Sequence, residues 1–167
     1  MTSTTQAYRA HNHQHCIEDA LVKAQALCNR RGARFTKLRE QVFKLVWHSH
    51  KPLGAYTILE KLAENSGHSR PAPPTVYRTL EFLQQQGLVH RIASLNAFIG
   101  CDHPQHPHSC QFLICHRCDT TVELGNRTLP ESILEEAEST GFVTESALIE
   151  VIGLCPNCQH REKYPCE

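Results

Sequence analysis

Apolar residues recur through the first half of the chain at the spacing of buried helix faces. Ile17, Ala20, Leu21, Ala24 and Leu27 repeat every three or four positions and predict a first helix. Thr36 is placed to cap a second, with Leu38, Val42, Leu45 and Val46 facing inward. Pro52 and Gly54 interrupt the pattern. A third helix then turns Ala55, Ile58, Leu59 and Leu62 to the core. The stretch from Asn65 to Pro74 holds Gly67, Pro71, Pro73 and Pro74 and predicts a loop. Thr75 opens a fourth helix, with Val76, Leu80 and Leu83 on one face, and Gly87 ends it. Leu88 to Ile92 and Ala97 to Cys101 read as two short strands around a turn at Ser94 to Asn96. Four helices followed by a hairpin is the order of a winged helix-turn-helix.

The pattern changes after Cys101. Phe112 to Ile114 and Thr121 to Leu124 read as short strands around a cysteine pair. Pro130 lies in the first turn of an acidic helix that runs to about Thr140 and stops at Gly141. Phe142 to Leu154 is rich in β-branched residues and predicts a strand leading to a second cysteine pair. The fold class expected is α+β: a winged helix-turn-helix, then a small α/β unit.

Charge divides the chain the same way. Residues 1–92 hold 13 Lys and Arg against 6 Asp and Glu, while residues 93–167 hold 4 against 11. A basic half suits a polyanion; an acidic, cysteine-rich half suits cations. The boundary is expected at residue 92, with residues 1–15 a flexible polar tail. At 167 residues and 40% hydrophobic content, the chain can build two small cores. No apolar run is long enough to span a membrane, and the polar start lacks the apolar middle of a secretory signal. A cytoplasmic protein is expected. Seven of the nine cysteines follow residue 92. Cellular thiols would keep them reduced, so metal ligation is the leading reading of the pairs.

The fourth helix carries the candidate nucleic-acid chemistry. With Val76, Leu80 and Leu83 buried, Arg78, Glu81 and Gln85 face away, flanked by Tyr77 and Gln84. Arg pairs with guanine edges and Gln with adenine. The helix start at Thr75 presents backbone N–H groups and a positive dipole end to a phosphate. Tyr56, at the start of the third helix, is placed to touch the DNA backbone or a thymine methyl.

The second half carries two metal-ligand groups. Cys115-x-x-Cys118 and Cys155-x-x-Cys158, 36 residues apart, can close a tetrahedral four-thiolate zinc site. A redox CxxC would need a single pair in a βαβ context, which is missing. The other group is His90, Cys101, His103, His106, His108, Cys110 and Glu123, too many for one ion. His90, Cys101, His108 and Glu123 would make a tetrahedral set; His103, His106 or Cys110 could replace His108 or build an extra site. A site drawing on both halves suits sensing, and one thiolate with imidazoles favours zinc. His11, His13, His15 and Cys16 form a looser group, Cys28 reads as core and Cys166 as an exposed thiol.

The Pro73-Pro74-Thr75-Val76-Tyr77-Arg78-Thr79-Leu80 helix start, Gly87-Leu88-Val89-His90 and the four-cysteine frame resemble the ferric uptake regulator family, in order over roughly residues 20–160. Cys101, in Asn96-Ala97-Phe98-Ile99-Gly100-Cys101, is similar to the thiolate ligand of the family's zinc-responsive branch. The junction departs from the family's common His-His-Asp-His run. The resemblance implies a structural zinc at Cys115, Cys118, Cys155 and Cys158. It implies a regulatory zinc at His90, Cys101, His108 and Glu123, hence two zinc ions per protomer. It also implies DNA contacts at Tyr56 and Arg78, to which the helix face adds Thr75 and Tyr77. A homodimer joined through the C-terminal domain would bind an inverted-repeat, double-stranded operator and repress metal-uptake genes. An iron or peroxide sensor of the same family and a redox-regulated zinc switch are the alternatives.

No enzyme, small-molecule substrate or membrane partner is expected. A zinc deaminase would need H-x-E ahead of P-C-x-x-C, whereas His160-x-Glu162 follows both pairs here.

Overall fold

Hydrophobic spacing sets the helices of the N-terminal part, and the computed structural model shows how they pack. It describes residues 7–8, 13–65, 71–105, 110–124, 128–145 and 147–163, and only the backbone at 13, 65, 110, 128–130 and 160–163. The chain divides into two units, Ala10–His106 and Met1–Arg9 with Pro107–Glu167.

The first unit begins with helix α1 (His13–Arg30). The tail expected to residue 15 therefore ends earlier. Gln14 Nε2 donates to Glu18 Oε1 one turn on, at 3.0 Å, so the helix starts on its own polar residues. His11 lies outside the described residues. Helix α2 (Lys37–Val46) has Thr36 as its N-cap, its side chain accepting from Arg39 N at 3.4 Å. The buried face is Val42, Phe43 and Val46, while Leu38 and Leu45 are half-buried. At about 100° per residue, the last two fall at the margin of the face and Phe43 nearer its centre.

Strand β1 (Leu53–Gly54), which hydrophobic pattern did not signal, precedes α3 (Ala55–Asn65). Ala55, Ile58, Leu59 and Leu62 are all buried, as their spacing required. Helix α4 (Pro73–Gln85) starts two residues before Thr75, from Ala72 as N-cap, with proline in its first turn. Proline's preset φ and missing N–H suit that turn, so Thr75 sits inside the helix instead of opening it. Gly87, at φ 66°, ends α4. Its N–H donates to Gln84 O at 2.8 Å and Leu88 N to Leu83 O at 2.9 Å, the paired closure that needs a left-handed residue.

Strands β2 (Val89–Ile92) and β3 (Ala97–Gly100) follow, and the three strands order β1-β3-β2, all antiparallel. The unit runs past residue 92, the charge boundary, because β3 pairs with β2 and β1. Gly100 is required by close approach: a Cβ there would lie 2.2 Å from the Trp47 ring. These elements form a winged helix-turn-helix.

The second unit has strands β4 (Cys110–Cys115) and β5 (Thr121–Glu123), helix α5 (Thr128–Ser139), strand β6 (Leu148–Gly153) and helix α6 (Pro156–Lys163). The sheet order is β5-β4-β6, with β4 and β5 antiparallel and β4 and β6 parallel. A parallel neighbour needs a long crossover, and β5 with α5 supplies it. The strand expected over Phe142 to Leu154 is confined to Leu148–Gly153. Its register begins at Cys110↔Leu148, so the residues before Leu148 have no length of β4 to pair with. Helix α6 was not expected.

Phe43→Ala should cost about 3–5 kcal/mol, as for a fully buried aromatic, read by denaturant unfolding. Val22→Ala, on the exposed face of α1, should stay within about 0.5 kcal/mol.

Candidate metal centre and nucleic-acid interface

The β4–β6 register assembles the four cysteines. Cys115 closes β4 opposite Gly153, and His116 N donates to Gly153 O at 3.0 Å. Two residues past Gly153, Cys155 begins the second pair. The first pair is a tight knuckle: Asp119 N donates to Cys115 O at 2.8 Å, Cys115 N to Thr120 O at 3.0 Å, and Asp119 takes φ 59°. The second wraps the start of α6, where Cys158 N donates to Cys155 O at 3.0 Å. All four sulfurs lie within 4.8 Å of one another, with Cys118 and Cys155 Sγ 3.7 Å apart.

Electrostatics in this cluster fit a cation. Burial pushes the Cys115 thiol up, but hydrogen bonds from the backbone of Cys155, Arg117 and Cys118 outweigh it and bring it down to about 6. Cys158 is pushed up to about 12, by burial and then by its hydrogen bonds to the neighbouring sulfurs. Burial also raises Cys118, but hydrogen bonds with Thr120 outweigh it and bring it down, whereas burial raises Cys155, so the protein's own groups favour two thiolates and oppose the other two. A divalent ion among the sulfurs would remove that opposition, and four thiolates in this arrangement suit tetrahedral zinc.

The other ligand-type residues are placed as follows. His90 is half-buried on β2. Cys101 is buried directly after β3, its N–H donating to Leu88 O at 3.0 Å. A ring nitrogen of His90 and Cys101 Sγ lie within 4.8 Å of each other. Glu123 ends β5 in the second unit and is buried. His103 is exposed. His106, His108 and Cys166 lie outside the described residues, as does the side chain of Cys110.

On α4, Val76, Thr79, Leu80 and Leu83 are buried, and Thr75, Tyr77, Arg78, Glu81, Gln84 and Gln85 are exposed. The polar face read from the sequence is therefore the outward face. Tyr56, second in α3, is 75% exposed. The back of α4 is braced by Arg39, whose guanidinium lies 3.4 Å from the Phe82 ring centroid.

Two features escaped sequence reasoning. Helix α6, which carries Cys158, had a readable signal in Pro156 at its first position. Tyr8, which packs against the four-cysteine cluster, had none, because the contact spans most of the chain.

The chain is similar to known proteins over most of its length. The model of the ferric uptake regulator family matches residues 30–152. The zinc uptake regulation protein of Escherichia coli K12 is 32% identical over 142 residues, covering 84% of this chain and 82% of the relative. A zinc uptake regulator solved in complex with zinc and DNA superposes with TM-score 0.82 at 32% identity, covering 89% of this chain and 98% of that one. The crystal structure of holo XcZur gives TM-score 0.77 at 39% identity, covering 84% and 96%. The chain belongs to the ferric uptake regulator family, a family of regulators and not of enzymes.

Proposed function

We propose that this protein is a zinc-responsive transcriptional repressor, which as a zinc-loaded homodimer binds inverted-repeat operators and represses zinc-uptake genes. The observation that carries this reading is the likeness, over 89% of the chain, to a regulator solved with both zinc and DNA. The outward face of α4 supports it, because its Arg and Gln side chains are those that read base edges.

Each proposed role rests on named residues. Cys115, Cys118, Cys155 and Cys158 hold a structural zinc. His90, Cys101, His108 and Glu123 hold the regulatory zinc, making two ions per protomer; one thiolate with imidazoles is a donor set that favours zinc. Arg78 reads a base, and Tyr56, Thr75 and Tyr77 contact the DNA around it. DNA binding falls to the unit Ala10–His106, which carries the domain expected over residues 1–92 on through the β2–β3 hairpin, and dimerisation to the unit that holds Pro107–Glu167. The dimer uses the β6 edge. That strand is one of the two edges of the sheet, and Leu148, Val151 and Ile152 on it, with Phe142 and Val143 before it, are exposed apolar residues suited to a second copy of the chain. No described helix is long and apolar enough to cross a membrane. The proposed site of action is the cytoplasm.

The direct test titrates free zinc against binding to an inverted repeat from a zinc-uptake promoter, with bound metal measured in parallel. Zinc should drive binding; a response to ferrous iron or to peroxide in its place would favour another sensor of the family or a redox switch.

Three variants separate the roles. Cys115→Ser should lose metal and fold poorly, because structural zinc contributes roughly 10–16 kcal/mol of apparent binding energy in small zinc domains. Total domain stability is only about 5–15 kcal/mol. Metal analysis and thermal unfolding read this out, and unchanged metal content would remove the site. Arg78→Ala should keep its zinc yet lose about 1–3 kcal/mol of operator affinity, with relaxed specificity at one base. A uniform loss across sequences would make Arg78 a phosphate contact. Cys101→Ala should stay folded with its four-cysteine zinc but bind one fewer ion and lose zinc-stimulated operator binding. Normal operator binding with the same zinc dependence would refute the regulatory set.

A further inference from the structure

Among the described residues, one that is remote in sequence packs against the four-cysteine cluster. Tyr8 packs with Leu154 against the cluster of Cys115, Cys155 and Cys158. Its carbonyl oxygen accepts from Asn157 Nδ2 at 3.1 Å, and Asn157 sits inside the second knuckle, between Cys155 and Cys158. Tyr8 also walls a cavity of about 230 Å³ that reaches Cys115 and Cys155, whose other walls include Leu113, Val151 and Pro156.

We propose that Tyr8 is a cover over the four-thiolate zinc site, which slows both transfer of the metal to competing ligands and attack on the sulfurs by peroxides. The inference rests on the reading of those cysteines as a zinc site. A competing ligand must bring a donor atom to the ion, and a peroxide must reach a sulfur. An aromatic ring tethered through its backbone to Asn157 closes one approach to both. In the oxidative reaction two thiolates give up two electrons and form a disulfide. Hydrogen peroxide accepts those electrons with two protons and leaves as two molecules of water, and zinc is released.

The experiment uses the full chain, loaded with zinc and washed briefly with chelator so that only tightly held metal remains. Transfer of that zinc to 4-(2-pyridylazo)resorcinol is followed with and without hydrogen peroxide, for the unaltered protein, Tyr8→Ala, Tyr8→Phe and Asn157→Ala. Tyr8→Ala should start with the same zinc content and speed both processes by about tenfold, the scale seen when outer contacts of metal ligands are removed. Tyr8→Phe keeps the ring and should behave as the unaltered chain. Asn157→Ala loosens the tether and should speed both processes less than Tyr8→Ala.

Unaltered rates in Tyr8→Ala would overturn the proposal, as would equal acceleration in Tyr8→Phe. Should Tyr8→Ala melt early, Asn157→Ala decides, and unaltered rates there would overturn it. An unaltered protein with no tightly held zinc would refute the metal site itself, and the cover with it.

Discussion

The second unit depends on the parallel pairing of β4 with β6. These strands are far apart in sequence, and their register ends with Cys115 opposite Gly153. From there each chain has only a short turn to make before presenting its cysteines, and all four sulfurs arrive within 4.8 Å of one another. The dependence runs both ways. Parallel pairing of remote segments carries a loop-closure cost, and an ion gripped by both strand ends would oppose it. This arrangement explains why each pair begins next to a strand end, with Cys158 in the first turn of α6. Hydrogen bonds around Cys115 and Cys118 favour their thiolates, while burial raises Cys155 and Cys158.

The first unit follows a different constraint. Its core is built from helix faces, with Val42, Phe43, Ile58, Leu62, Val76, Leu80 and Leu83 almost fully buried. Burying one side of α4 so completely leaves its polar side outward. The candidate DNA-reading side chains are those that the core does not need. Arg39 against Phe82 holds the flank of the helix, so the exposed side chains stand on a braced element. A braced helix would keep the geometry of base contacts defined.

The candidate regulatory residues show how the wing serves two ends. Packing of Trp47 against Gly100 leaves no room for a side chain there, and the chain emerges into Cys101 with its backbone held by Leu88. His90 lies two strand positions after Leu88. A cysteine sulfur and an imidazole nitrogen are brought close by hairpin pairing. Such preorganisation lowers the ordering cost of binding metal.

Local physics made much of this legible in the chain alone. Helical spacing placed Ala55, Ile58, Leu59 and Leu62 in the core; Thr36 and Gly87 marked helix ends; the outward face of α4 followed from its inward one. Two CxxC pairs stated their chemistry through residue type and spacing. These signals are short-range, so they survive without knowledge of the fold. Tertiary structure decided the rest. Phe43 displaced Leu38 and Leu45 from the centre of their face, and prolines moved the start of α4 ahead of Thr75. The length of β4 limited β6 to Leu148–Gly153, and Tyr8 came to rest beside cysteines more than a hundred positions away. Each of these depends on which surfaces meet, and spacing within one segment carries no information about its partner.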